Sequence, residues 1–236
     1  MNIRHLVTRL TAAVVRRGLG ATAAAFALIA AVVLGGAVGG MSTAEAKPAW
    51  PGPGQWTCSG APVPSGWVIT GYDRSGCQGS GSWYQAPVKD GIWTCSGSPV
   101  VPGYVTTNHQ QDGCTGIGAW FQQRVKDDIW TCSGSPVVPG YVITNHQQAG
   151  CNGVGSWRNN LAKDGNWTCG GSPIIDGYVL TDRNLYGCDN AGSWRQNIAR
   201  PGLAVCAGTT IPAGFRFTTF SAGGCSGLGA WTIARA

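Results

Sequence analysis

The chain has 236 residues, of which 11% are charged, with 38 glycines, 11 tryptophans and ten cysteines. No stretch beyond the N-terminal segment sustains a helical period, and so much glycine works against one, which sets helical folds aside. The formal net charge of +6 comes from basic residues scattered singly, without the concentrated positive stripe that a nucleic-acid surface requires.

Residues 1–46 read as a secretory signal peptide. Arg4, Arg9, Arg16 and Arg17 make a basic leader, an apolar run extends from Gly18 to Gly40, and Ala44-Glu45-Ala46 supplies a small-x-small cleavage site. The alternative is a retained N-terminal membrane anchor, since 23 weakly polar residues can span a bilayer. With cleavage the chain keeps no membrane segment, and four of its sixteen basic and one of its ten acidic residues leave, so twelve remain against nine. Residues 47–55, with Pro48, Pro51 and Pro53 among glycines, read as an extended linker.

From there the cysteines impose order. They fall at Cys58, Cys77, Cys95, Cys114, Cys132, Cys151, Cys169, Cys188, Cys206 and Cys225, with gaps alternating between 19 and 18, a period of 37 residues. Trp56, Trp93, Trp130 and Trp167 each precede the first cysteine of a period by two residues. Trp83, Trp120, Trp157, Trp194 and Trp231 each follow the second by six. Five tandem copies result: 56–92, 93–129, 130–166, 167–203 and 204–236. The second and third agree at 25 of 37 positions.

Within a copy three β-prone stretches alternate with turns. In copies 3 and 4 these are Gly140 to Thr144, Gly155 to Asn159, and Asn166 to Ser172, the last ending in a Gly/Ser/Pro turn. The expected fold class is therefore all-β: five disulfide-stapled repeats in an open curved or twisted array, with a closed five-fold ring as the alternative. Within-copy pairing uses every cysteine, whereas between-copy pairing strands Cys58 and Cys225 unless the chain closes. A 37-residue unit buries too little surface to fold on apolar contacts alone. A bridge across about 20 residues adds roughly 3 kcal/mol on the chain-entropy model. Ala204 and Arg216 in copy 5, where the others carry tryptophan and valine, favour a capped open end.

Little in the repeat specifies chemistry. No C-x₂-C pair exists for zinc, and no cofactor is implied. No glutamate follows Glu45, and Asp90, Asp127 and Asp164 recur in Lys-Asp turn sequences rather than as a catalytic carboxylate pair. His109 and His146 occupy one repeat position in copies 2 and 3, within the sequences Asn108-His109-Gln110-Gln111 and Asn145-His146-Gln147-Gln148, which read as exposed loops. These eight residues are the candidate ligand contacts. The recurring tryptophans read as core, while Tyr84, Phe121, Arg158 and Arg195, each following a tryptophan, alternate to an outer face. The expected function is that of a secreted or cell-surface, non-catalytic, multivalent binding module for a glycan or cell-envelope polymer. A structural surface spacer is the alternative, and a disulfide-framed inhibitor or toxin a lesser one.

Overall fold

The computed structural model describes residues 54–236; the expected leader and the linker through residue 53 lie outside them. Each copy is a three-stranded antiparallel sheet in which the third strand of the copy lies in the middle. The first strands are β1 (Gln55–Cys58), β4 (Ile92–Cys95), β7 (Ile129–Cys132), β10 (Asn166–Cys169) and β13 (Ala204–Cys206). The second are β2 (Trp67–Asp73), β5 (Tyr104–Gln110), β8 (Tyr141–Gln147), β11 (Tyr178–Asn184) and β14 (Phe215–Ser221). The central ones are β3 (Ser82–Pro87), β6 (Ala119–Arg124), β9 (Ser156–Leu161), β12 (Ser193–Ile198) and β15 (Ala230–Arg235). Gln55, assigned to the linker by composition, already pairs with Gln85.

All five bridges are within copies: Cys58–Cys77, Cys95–Cys114, Cys132–Cys151, Cys169–Cys188 and Cys206–Cys225. Each ties the end of a first strand to a tight turn beyond the second. In copy 3 that turn holds two non-glycine residues, Cys151 (φ 53) and Asn152 (φ 54), in the left-handed region, where an L-residue costs roughly 1–2 kcal/mol. The bridge and the Gly155 N–H bond to Gly150 O (2.8 Å) hold it there. Gly150 has no room for a side chain, because a Cβ would overlap the hydroxyl of Ser156 on β9.

Every second strand carries a bulge that skips one threonine: Thr70, Thr107, Thr144 or Thr181 in copies 1–4, and Thr218 with Thr219 in copy 5. The skipped hydroxyl turns to the central strand; Thr218 Oγ1 donates to Thr232 O at 3.0 Å. A side chain thus substitutes for a ladder bond that the bulge removes.

The five sheets follow one another as an open series, second strand against the next first strand, without closing into a ring. Val68, Val105, Val142 and Val179 are fully buried on the second strands, and at the last junction Val179 packs with Val205 and Ile233. Arg216 holds the same position in copy 5 and is exposed.

Serine hydroxyls cross the junctions. The N–H groups of Ile69, Thr106 and Ile143 donate to Ser98, Ser135 and Ser172 Oγ of the following copy at 2.8–2.9 Å. Thr209 stands at that position at the last junction, buried, but its Oγ1 makes no such bond. In copy 1, the first among the described residues, the residue is Ala61.

The interior is unexpectedly polar. Gln85, Gln122, Asn159 and Gln196 on the central strands are buried. The Gln122 amide donates to Thr94 Oγ1 (3.1 Å) and Pro99 O (3.0 Å), while Thr94 Oγ1 donates to Trp120 O (3.1 Å). Gln196 repeats this with Thr168 and Pro173. In copy 5 both members of the pair are apolar, Val205 and Ile233. Among the described residues, no helix is long and apolar enough to cross a membrane.

Candidate ligand-binding surface

The Asn-His-Gln-Gln sequences are not free loops. Asn108, His109 and Gln110 end β5, Asn145, His146 and Gln147 end β8, and only Gln111 and Gln148 lie in the turns beyond. Asn108 and Asn145 follow the bulge, and each Oδ1 accepts the next histidine's N–H at 2.8 Å. The histidines are half-buried and lie over tryptophan: His109 on Trp120 with ring centroids 4.3 Å apart, His146 on Trp157 at 4.1 Å. Their sequence reading as exposed residues is therefore corrected. Gln110, Gln111, Gln147 and Gln148 are exposed.

Each histidine also sits at a junction. The Asn152 amide of copy 3 donates to His109 O of copy 2, as Thr115 Oγ1 donates to Tyr72 O and Ser226 Oγ to Arg183 O (2.8 Å). Copy 4 places Asp189 there instead. A carboxylate cannot donate to a carbonyl, and Asp189 Oδ2 lies 3.7 Å from His146 Nδ1. An open depression of ≈ 710 Å³ lies at this junction, lined by Asn145 through Gly150 and by Asp189. Four of the sequence candidates thus share one concavity.

The recurring tryptophans do not form the core; none of the nine is buried. They make two ladders on opposite faces of the sheets, because successive strand residues alternate. On one face, first-strand tryptophans oppose the residue after the central-strand tryptophan: Trp56 with Tyr84 (5.3 Å), Trp93 with Phe121 (5.2 Å), Trp130 with Arg158, Trp167 with Arg195. Trp56 is 55% exposed and Trp167 39%. On the other face Trp83 meets Tyr72, Trp194 meets the Arg183 guanidinium, and Trp231 meets Phe220. Sequence reasoning singled out Tyr84, Phe121, Arg158 and Arg195 and missed their exposed tryptophan partners. The antiparallel register, which the sequence does not print, brings them together.

Beside the first ladder an equivalent cleft recurs. At the junction of copies 1 and 2 it measures ≈ 530 Å³ and is lined by Thr70, Tyr84, Ala86, Val88, Lys89 and Ile92. At that of copies 3 and 4 it measures ≈ 310 Å³, and Thr144, Arg158, Asn160, Lys163 and Asn166 take corresponding places next to Trp167. One scaffold position therefore carries apolar chemistry in one cleft and polar, cationic chemistry in the other.

The recurrent aspartates tie each copy to the next. Asp90 Oδ1 accepts Arg124 N–H (2.7 Å) in the next copy. Asp127 accepts Leu161 N–H (2.8 Å), the Asn160 amide and Lys163 Nζ (3.1 Å), and Asp164 accepts Ile198 N–H, the Asn197 amide and Arg200. The Leu161 backbone N–H, together with Lys163 and Asn160, lowers the Asp127 carboxyl to about 2. A carboxyl so committed is a poor proton donor or acceptor near neutral pH. Among the described residues, no three His, Cys, Asp or Glu side chains converge as a metal site would require. Comparison with protein-family models, curated proteins and solved structures gives no match.

Proposed function

We propose that this chain is an exported, non-catalytic repeat protein that binds a glycan or cell-envelope polymer at several weak sites along its array. The observation that carries the reading is the recurrence of one cleft along the ladder of partly exposed tryptophans, at the junctions of copies 1 and 2 and of copies 3 and 4. Flat, amphipathic rings on a rigid sheet suit the apolar faces of sugar rings, and the amides of Gln110, Gln147 and Asn160 suit their hydroxyls. Weak sites held in series gain through linkage, on the order of 10²–10⁴ in apparent affinity. Export is supported by five bridges, which persist in an oxidising compartment.

Titration of the oxidised protein with soluble cell-wall oligosaccharides, followed by tryptophan emission, tests the reading. Saturable changes that steepen with oligosaccharide length are expected, and Trp56→Ala together with Trp93→Ala should weaken them. Unchanged emission and no retention on envelope material would leave the array a structural spacer.

A further inference from the structure

We infer that copy 4 holds a position for a carboxylate-bearing sugar, made by Arg195 and Trp167. This rests on the glycan-binding reading above and adds the charge of the ligand. Copies 3 and 4 share the register that sets an arginine opposite a first-strand tryptophan, Arg158 against Trp130 and Arg195 against Trp167. They differ in what meets the guanidinium.

In copy 3 the Arg158 guanidinium is bound by the carboxylate of Asp128, a turn residue at φ 64. The residue that stands to Arg195 of copy 4 as Asp128 stands to Arg158 is Gly165, at φ 84, in the turn that ends copy 3. A Cβ built on Gly165 would lie 3.5 Å from Arg195 Nη2, so the place from which Arg158 receives its acid is bare beside Arg195. Other acids do not take over. Asp164 is committed to Arg200, Asn197 and Ile198. Asp182 lies across the ladder from Arg195 but accepts Arg183 N–H, and among the described residues no acid forms an ion pair with Arg195.

What remains is a planar cation next to a 39% exposed tryptophan. A guanidinium presents a fork of donors that fits a carboxylate through two parallel bonds. Cross-strand neighbours stand about 4.5–5.5 Å apart at Cβ, so a ring stacked on Trp167 brings its acidic substituent over Arg195. The ligand's carboxylate then occupies the place that Asp128 fills internally one copy earlier.

The test compares trigalacturonate with neutral trigalactose, by calorimetry, on the full oxidised chain. Wild type should favour the uronate by about tenfold, the scale of one charged hydrogen-bonded contact, and the preference should shrink with added salt. Gly165→Asp should abolish the preference while leaving trigalactose binding unchanged, with at most a small drop in melting temperature, because Asp128 at φ 64 shows that this turn accepts aspartate although the backbone at φ 84 favours glycine. Arg195→Gln should lower uronate binding by the same factor and serves as an independent check on folding. Equal binding of the two sugars by wild type, or a preference that survives Gly165→Asp, would overturn the inference and leave the glycan reading standing. Failure of both sugars to bind would overturn the two together.

Discussion

Ser98 Oγ accepts the backbone N–H of Ile69 at 2.8 Å, across the boundary between two copies. β2 is an edge strand whose residues alternate between facing β3 and facing outward, so the Ile69 N–H points away from its own sheet, and the following copy supplies the acceptor. Each junction up to copy 4 is closed in this way, so the copies are coupled by polar bonds as well as by valine packing.

Replacing Ser135 with alanine should orphan the Thr106 N–H and cost about 1–3 kcal/mol in chemical denaturation. Ala61→Ser should change stability by less than ~0.5 kcal/mol, since among the described residues no N–H of another copy faces it. Equal effects of the two would show that the hydroxyl matters for its own copy rather than for the junction.

The Thr94–Gln122 pair should behave as a unit. Gln122→Ile alone leaves Pro99 O without its donor and should cost ~1–3 kcal/mol. Adding Thr94→Val reproduces the Val205–Ile233 pairing of copy 5, and the double variant should cost less than the sum of the single ones. A strictly additive double-mutant cycle would refute the coupling.

Removing the Cys132–Cys151 bridge by double alanine substitution should lower stability by roughly 3 kcal/mol and unfold the middle of the array. The same change at Cys206–Cys225 should fray copy 5 alone, because each copy touches only its neighbours. Hydrogen exchange resolved by copy distinguishes the two outcomes.

Asp127 sets an acid limit on the junction between copies 2 and 3. Its folded-state carboxyl titrates near 2 rather than the usual 3.8, so it favours the folded state above 3.8 and loses that contribution as pH falls through about 2. Asp127→Asn should therefore melt below wild type at pH 5, with the gap narrowing as pH drops towards 2. A gap constant from pH 5 to 2 would assign the effect to something other than ionisation.

The repeat, the all-β class and the within-copy bridges were legible in the sequence because cysteine spacing is a covalent constraint with few solutions. Arg216 and Ala204 likewise marked an open end, since a terminal copy has no neighbour to bury valine against. The interior was not legible. Gln85, Gln122 and Gln196 are residues that usually face solvent; what makes them core is amide bonding that the sequence does not display, to Pro62 O for Gln85 and to a first-strand threonine and a proline carbonyl for Gln122 and Gln196. The histidine sequences failed as loops for a related reason. Thr107 and Thr144 are skipped by a bulge, which breaks the alternation just before Asn108 and Asn145, and asparagine and glutamine carry no strong strand preference of their own. The serines that close the junctions left a readable signal, Ser98, Ser135 and Ser172 against Ala61, whose meaning depends on knowing which N–H groups the edge strands turn outward.

Because every bridge joins a cysteine to the next one along the chain, the order in which thiols emerge during synthesis matters. The first two to appear, Cys58 and Cys77, are partners, and so is each later pair taken in turn. Oxidation that keeps pace with the emerging chain therefore reaches the native bridges without reshuffling. Oxidation of a complete, unfolded chain lets Cys77 compete for Cys95 across a loop of nearly the same length. The fold is thus best matched to a vectorial, N-to-C history, in which the turn of one copy is locked before the thiols of the next come within reach.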